Sequence, residues 1–177
     1  IEFNPDAIRR AKEKGITIHA KPLAEVTTLD NEGFDVATTF QVLEHIGNVK
    51  KFLSEKIGLV KNGGLIIIGV PYNNPYLYRK DKFHVLNLPP HHMGLWNEVS
   101  LKNLENYFPL KVEKIYIEPL DDLTYYLFVQ MNQLKLYRKF SRFKVFRALS
   151  RINNSIFGFV RKRIRGRNVV AVYKKIK

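Results

Sequence analysis

The sequence predicts an α/β fold in which helices flank a mostly parallel sheet. The main observation is the segment 34–71, which reads as a strand, a short loop, a helix, a glycine turn and a second strand. This order is one βαβ unit of a parallel sheet. The second observation is that the chain has 177 residues, 45% hydrophobic content and 12 Phe, which is typical of one folded domain with a real core.

The periodicity of segment 34–71 changes from strand to helix and back. Residues 34–40 form a short apolar run, and we expect a strand that is covered on both faces. Between residues 48 and 60, apolar residues recur at three- and four-residue spacing, which predicts a helix capped by Asn48. We expect the pair Gly63–Gly64 to end this helix and to lead into a buried strand over 65–70.

The residues before this unit predict two strand pieces and a helix. We expect Ile1–Glu2 to be the last residues of a strand. Asn4 can cap a helix that has Pro5 at its first position and ends at Gly15. Residues 16–19 are then predicted to form a short strand.

The residues after Pro71 predict a long loop and three further elements. Segment 72–96 is rich in Pro, Asn, His and Tyr and has no sustained period, so we interpret it as a lid or substrate loop. A helix is predicted over 100–108, a strand over 111–117 and a last strand over 168–173.

Charge divides the chain into two unequal parts. Residues 1–122 hold all 16 acidic residues and 15 of the 30 Lys and Arg, so this part has a net charge of −1. Residues 123–177 hold the other 15 basic residues and no acidic one. We therefore predict a core over 1–122, a basic amphipathic helical insertion over 123–166, and the last strand of the core within 167–177.

The basic insertion leaves three interpretations open. Its Phe stripe can pack on the domain as a helical cap, with the Arg and Lys side chains solvated. It can contact an anionic membrane surface, where each basic residue contributes about 1 kcal/mol. It can also bind RNA, since basic residues with interleaved aromatics suit phosphates and bases. No recognised RNA-binding motif is present, so nucleic acid is the less favoured partner, and a membrane or an anionic, lipid-linked substrate is preferred.

Composition limits the remaining classes. The chain has no cysteine, which excludes disulfides and thiolate metal sites. No apolar run approaches the ~20 residues that span a bilayer, and no signal-peptide pattern is present. We expect a cytoplasmic location, with peripheral contact at the inner membrane face.

The motifs FDVATTFQVLEHI, NGG and PPHHMGLW, in this order, resemble a class I S-adenosylmethionine-dependent methyltransferase. The resemblance covers residue 1 to about residue 117 and resumes at 168–173. It implies a Rossmann-like fold, S-adenosylmethionine as cofactor, and methyl transfer to a small-molecule, saccharide or lipid-linked acceptor.

The resemblance also implies which residues bind the cofactor. Glu2 matches the acidic residue that accepts hydrogen bonds from the ribose hydroxyls, and Phe3 would flank the adenine. Leu23 and Ala24 would contact the adenine edge, and Gln41 would face the methionine portion.

The acceptor side is predicted from the strand ends, the loop and the chemistry of histidine. A hydroxyl acceptor benefits from a nearby base, and an unperturbed imidazole titrates near neutrality. No metal site is predicted, because no carboxylate or cysteine partner stands at ligand spacing from the adjacent histidines. The candidate catalytic residues are His45, His91 and His92, and the candidate substrate contacts are Tyr72, Asn73, His84 and Trp96.

The sequence lacks the glycine-rich GxGxG turn that the family places between its first strand and first helix. We therefore expect a chain truncated before the second strand, and the activity of these residues alone is left open. A sheet without its central strand also favours pairing with another chain. Two alternatives remain at this point: an RNA methyltransferase, and a degenerate binding module without catalysis.

Overall fold

The computed structural model describes residues 1–26, 33–73, 88–119 and 165–177. His84 and residues 123–164 of the predicted basic insertion lie outside these ranges, whereas residues 165–166 of that insertion are described and belong to the last strand. The helices are α1 (Pro5–Glu13), α2 (Leu23–Val26), α3 (Val49–Gly58) and α4 (Glu98–Lys102), with 3-10 turns at Leu43–His45 and Asn103–Asn106. The strands are β1 (Phe34–Phe40), β2 (Val60–Pro71), β3 (Leu110–Pro119) and β4 (Arg165–Lys175).

The described strands form one sheet in the order β1-β2-β4-β3. β1 and β2 are parallel, whereas β4 is antiparallel to both of its neighbours. The predicted α/β class with flanking helices is confirmed, and among the described strands the sheet is mixed. The strands predicted at 1–2 and 16–19 are absent from this sheet. Only one backbone hydrogen bond joins the two segments, from Glu2 N to His19 O at 3.3 Å, and the described residues supply no adjacent strand with which they could form a ladder.

The predicted βαβ unit is confirmed as β1, α3 and β2. The Asn48 side chain accepts a hydrogen bond from Lys51 N at 3.0 Å and caps α3, as expected. Leu53 and Ile57 on the predicted apolar face are buried against the sheet. The α1 cap is also confirmed, because Asn4 Oδ1 accepts from Asp6 N at 2.9 Å.

The glycine pair does not end α3, which was a wrong prediction. The helix already ends at Gly58, and Gly63 lies within β2 with a φ of 82°. The pairing register with β1 shifts at this point: Phe34 pairs with Val60, whereas Val36 pairs with Leu65. The glycines therefore allow a bulge inside the second strand rather than a turn before it.

The prediction that both faces of β1 are covered was also wrong. Among the described strands β1 lies at one edge of the sheet, and Phe34, Val36 and Phe40 are exposed. The prediction for 65–70 is confirmed, since Ile66, Ile68 and Val70 are fully buried. The three exposed residues share one face of β1, whereas Thr39 on the other face is buried, so the described residues cover only one face of this strand.

The hydrophobic core joins the helices to β2 and β4. It lies around the fully buried side chains of Leu53 in α3, Leu101 in α4 and Tyr173 in β4. α4 begins two residues earlier than predicted, because Asn97 and Ser100 form a capping box. Within the described ranges, no helix is long and apolar enough to cross a membrane.

Candidate functional site

The carboxyl ends of β1 and β2 lie side by side, as expected of a parallel pair. Gln41 directly follows β1 and has a φ of 53°, a left-handed conformation that is uncommon outside glycine. Its side-chain amide donates to Asn168 Oδ1 at 3.2 Å, and Asn168 Nδ2 donates to Glu118 Oε2 at 2.7 Å. These bonds connect the end of β1 to β4 and β3 along one edge of the sheet.

Beside this edge, the turn Leu43–His45 meets the loop that carries the histidine pair. The imidazole rings of His45 and His92 lie 5.1 Å apart in an edge-to-face arrangement. His45 Nδ1 is 2.5 Å from the backbone oxygen of His91. The structure therefore brings the three predicted catalytic histidines together, although His91 takes part through its backbone while its side chain is exposed.

Glu44 belongs to this cluster and was missed by the sequence reasoning. Its side chain is only 1% exposed, and neither carboxylate oxygen has a hydrogen-bond partner within the described part of the chain. His45 Nε2 lies 3.8 Å from Glu44 Oε1. A buried carboxylate without hydrogen bonds is costly, which marks this position as unusual.

The backbone of Glu44 fixes the loop against the turn. Its carbonyl oxygen accepts hydrogen bonds from Met93 N at 2.7 Å and from Gly94 N at 3.0 Å. Gly94 lies close to the Trp96 ring. A Cβ added at this position would be only 3.0 Å from Trp96 Nε1. The loop backbone is thus fixed against the turn between its histidines and its tryptophan.

Tyr72 and Trp96 are core residues in this structure rather than exposed substrate contacts. Tyr72 is fully buried, and its hydroxyl accepts a hydrogen bond from Arg165 Nη1 at 2.6 Å. Burial raises the pKa of Tyr72 above its ordinary value. Trp96 is 8% exposed, and its backbone oxygen accepts from Asn73 N at 2.7 Å. Among the predicted substrate contacts that the structure describes, Asn73 is exposed, unlike Tyr72 and Trp96.

The predicted cofactor residues near the amino end have local contacts. Glu2 Oε1 accepts hydrogen bonds from Phe3 N at 2.7 Å and Asn4 N at 2.8 Å. The bond from the Asn4 amide, followed by that from Phe3, lowers the pKa of the Glu2 carboxyl. The Phe3 side chain is 62% exposed. Leu23 and Ala24 open α2, instead of following a strand as predicted.

Comparison with known proteins agrees with this architecture. Residues 1–68 match the family model described as a methyltransferase domain. A search of curated proteins gave no significant match. Among solved structures, a SAM-dependent methyltransferase from Archaeoglobus fulgidus is similar at 17% identity, with a TM-score of 0.58. The match covers 98% of this chain and 74% of that one.

Two further structures show the same fold. One is a putative sarcosine dimethylglycine methyltransferase from Galdieria sulphuraria, with 14% identity, a TM-score of 0.59 and coverage of 99% of this chain and 68% of that one. The other is a putative S-adenosylmethionine-dependent methyltransferase from Listeria monocytogenes, with 10% identity, a TM-score of 0.56 and coverage of 99% and 78%.

The family match covers residues 1–68. The similar solved structures show that the chain has the Rossmann-like fold of S-adenosylmethionine-dependent methyltransferases.

Proposed function

We propose that this enzyme transfers the methyl group of S-adenosylmethionine to a hydroxyl of a small-molecule, saccharide or lipid-linked acceptor. The observation that supports a hydroxyl acceptor is the pair of imidazoles, His45 and His92, 5.1 Å apart beyond the carboxyl end of β1. In open parallel α/β sheets, ligands bind outside the carboxyl ends of the strands. Imidazole nitrogen is the usual acceptor of a proton from a reacting hydroxyl.

The residues near the amino end fit the cofactor. Glu2 has a lowered pKa, so it is ionised at neutral pH, and both of its backbone hydrogen bonds use Oε1. Oε2 is then the oxygen that would accept from the ribose hydroxyls, with the exposed Phe3 ring beside the adenine. Leu23, Ala24 and Gln41 would complete the site. When bound, S-adenosylmethionine supplies an electrophilic methyl group on a sulfonium.

The chain's own residues would orient the acceptor and take its proton. The acceptor oxygen forms a bond to the methyl carbon as the carbon–sulfur bond breaks, and the sulfur leaves as a neutral thioether. The hydroxyl proton passes to the imidazole of His45 or His92. Asn73, exposed at the end of β2, would hold the acceptor by hydrogen bonds, as would His84 in the same loop of the sequence.

Titration with S-adenosylmethionine tests the cofactor assignment. We expect Glu2→Ala to weaken binding by roughly 10- to 100-fold, because a charge-assisted hydrogen bond contributes about 1.5–3 kcal/mol. Glu113→Ala, an exposed acid on β3, should bind like the wild type. Isothermal titration calorimetry measures both. Equal affinity of the wild type and Glu2→Ala for S-adenosylmethionine would contradict the proposed cofactor site. Transfer of labelled methyl to amines but not to hydroxyl compounds would contradict the proposed hydroxyl acceptor.

We also propose that the basic segment holds the enzyme against an anionic membrane, where a lipid-linked acceptor would be found. The support is compositional: residues 123–177 carry 15 Lys and Arg and no acidic residue, interleaved with aromatic side chains. At about 1 kcal/mol for each basic residue near the surface, a few contacts give measurable binding.

Vesicle sedimentation tests this membrane proposal. We expect binding to phosphatidylserine vesicles at low salt, none to phosphatidylcholine vesicles, and loss of binding at high salt. A triple variant, Arg138→Glu with Lys139→Glu and Arg142→Glu, should release the protein. The matched control, Lys50→Glu with Lys51→Glu in α3, should retain it. Absence of sedimentation, together with salt-dependent RNA binding, would favour the nucleic-acid interpretation instead.

A further inference from the structure

We propose that Glu44, His45 and His92 bind a divalent first-row transition-metal ion such as Zn²⁺. Each side chain offers one ligand atom, and the three atoms lie within 4.8 Å of one another. The sequence reasoning predicted no metal because it found no carboxylate partner for the histidines. The fold supplies that carboxylate from the turn after β1.

The hydrogen bond of His45 fixes which nitrogen is available. The backbone oxygen of His91 can only accept, so Nδ1 of His45, 2.5 Å away, carries the hydrogen. In the neutral ring, Nε2 then holds a lone pair, 3.8 Å from Glu44 Oε1. Histidines that bind metals commonly donate their other ring N–H to a backbone carbonyl in this way, which fixes the tautomer and the ring orientation.

The Glu44 carboxylate is the second, independent observation. It is 1% exposed and has no hydrogen bond to either oxygen within the described ranges, although its own backbone oxygen accepts two. A buried carboxylate is normally paired or coordinates a metal. A cation between Glu44 and Nε2 of His45 would pair with this carboxylate.

The set of ligands selects the type of ion. Two imidazoles and one carboxylate form a catalytic zinc set, and the same set also suits other first-row metals, while Mg²⁺ and Ca²⁺ prefer oxygen ligands. Zinc bonds of about 2.0–2.2 Å to nitrogen and oxygen place two ligand atoms roughly 3–4 Å apart. The 3.8 Å between Glu44 Oε1 and His45 Nε2 is in this range. All three ligand atoms lie within 4.8 Å of one another, so a side-chain movement of about 1 Å brings them to bonding distance of one ion.

Three protein ligands leave a coordination position open. At the carboxyl end of β1, that position would take a water or the acceptor oxygen. The ion would then lower the pKa of the acceptor hydroxyl, which loses its proton to solvent, and the imidazoles would be ligands instead of bases. This last step rests on the proposed function, whereas metal binding itself does not.

The experiment uses the full chain, stripped with EDTA and titrated with ZnCl₂ or CoCl₂. We expect one ion per chain by calorimetry and, with Co²⁺, visible absorption bands of a bound ion. Glu44→Gln and His45→Gln should each weaken binding more than about tenfold. His45 is a suitable second site because its side chain is 50% exposed and the substitution should not impair folding. His91→Ala is the matched control, since His91 contacts His45 through its backbone oxygen and its side chain is exposed.

Two results would overturn the inference: no stoichiometric binding by the wild type, or equal binding by wild type and Glu44→Gln. The second result would mean that the Glu44 carboxylate is not a ligand of the ion. S-adenosylmethionine titration of the same samples separates the two proposals. Cofactor binding without metal binding rejects only the metal site, and metal binding without cofactor binding rejects only the proposed function.

Discussion

Replacing Tyr173 with alanine should lower the free energy of unfolding by about 3–5 kcal/mol, the range found when large aromatic core residues are truncated. Tyr173 is fully buried in β4, a strand with neighbours on both sides, where it lies opposite Ile66 of β2 and Val112 of β3. Its hydroxyl donates to Leu101 O at 2.9 Å and so joins the sheet to α4. Alanine would leave a cavity at this junction and a carbonyl without its partner.

Urea denaturation followed by circular dichroism measures the change. Tyr173→Phe keeps the ring and removes the hydrogen bond, so it should cost only about 1 kcal/mol. Tyr116→Ala on β3 is the surface control, because this side chain is 51% exposed and substitutions of this kind change stability by about 0.5 kcal/mol or less. Equal losses in Tyr173→Ala and Tyr116→Ala would contradict the placement of Tyr173 in the core.

The stability of the protein should rise between pH 8 and pH 9.5 because of Lys56. Burial of this α3 residue lowers its pKa to about 8, and its ammonium donates to Thr38 O at 2.6 Å. The unfolded chain, in which the lysine pKa is near its ordinary value, binds more protons across this window, so raising the pH favours the folded state. The gain should be about 1–2 kcal/mol, after allowance for partial solvent contact.

Lys56→Met isolates this contribution. The variant should be more stable than the wild type at pH 7, by about 3 kcal/mol at most, and the difference should shrink as the pH approaches 9.5. Lys50→Met, at an exposed position of the same helix, should keep the pH dependence of the wild type. Chemical denaturation at several pH values checks this. A wild type and a Lys56→Met variant with parallel stability profiles would contradict the effect of burial.

The sequence predicted the elements whose pattern is local. Asn48 and the three- and four-residue spacing after it define α3 without any tertiary information, and the apolar run at 65–70 is a buried strand. The exposure of Phe34–Phe40 could not be predicted in this way, because its composition is also that of a buried strand. The two cases differ in whether both faces of the strand are covered, and that is a property of the assembled fold.

The same difference between local patterns and tertiary contacts applies to the candidate site. The motif placed His45 and Gln41 at a strand end, and the structure agrees. Glu44 was missed because His92, which lies close to it in the fold, is 48 positions away in the sequence (92 − 44). A contact between such distant positions leaves no periodic pattern in the sequence. The signal that was present is a carboxylate directly before a histidine at the end of a predicted strand, in a position that turned out to be buried.

The double hydrogen bond to the Glu44 carbonyl oxygen has an entropic consequence. By accepting from Met93 N and Gly94 N, it ties the 3-10 turn to the segment that carries His92. The relative position of His45 and His92 is therefore set during folding, and little rotational freedom remains to be lost when a ligand arrives. Preorganisation of this kind increases the affinity for a ligand, because less conformational entropy is lost when the ligand binds.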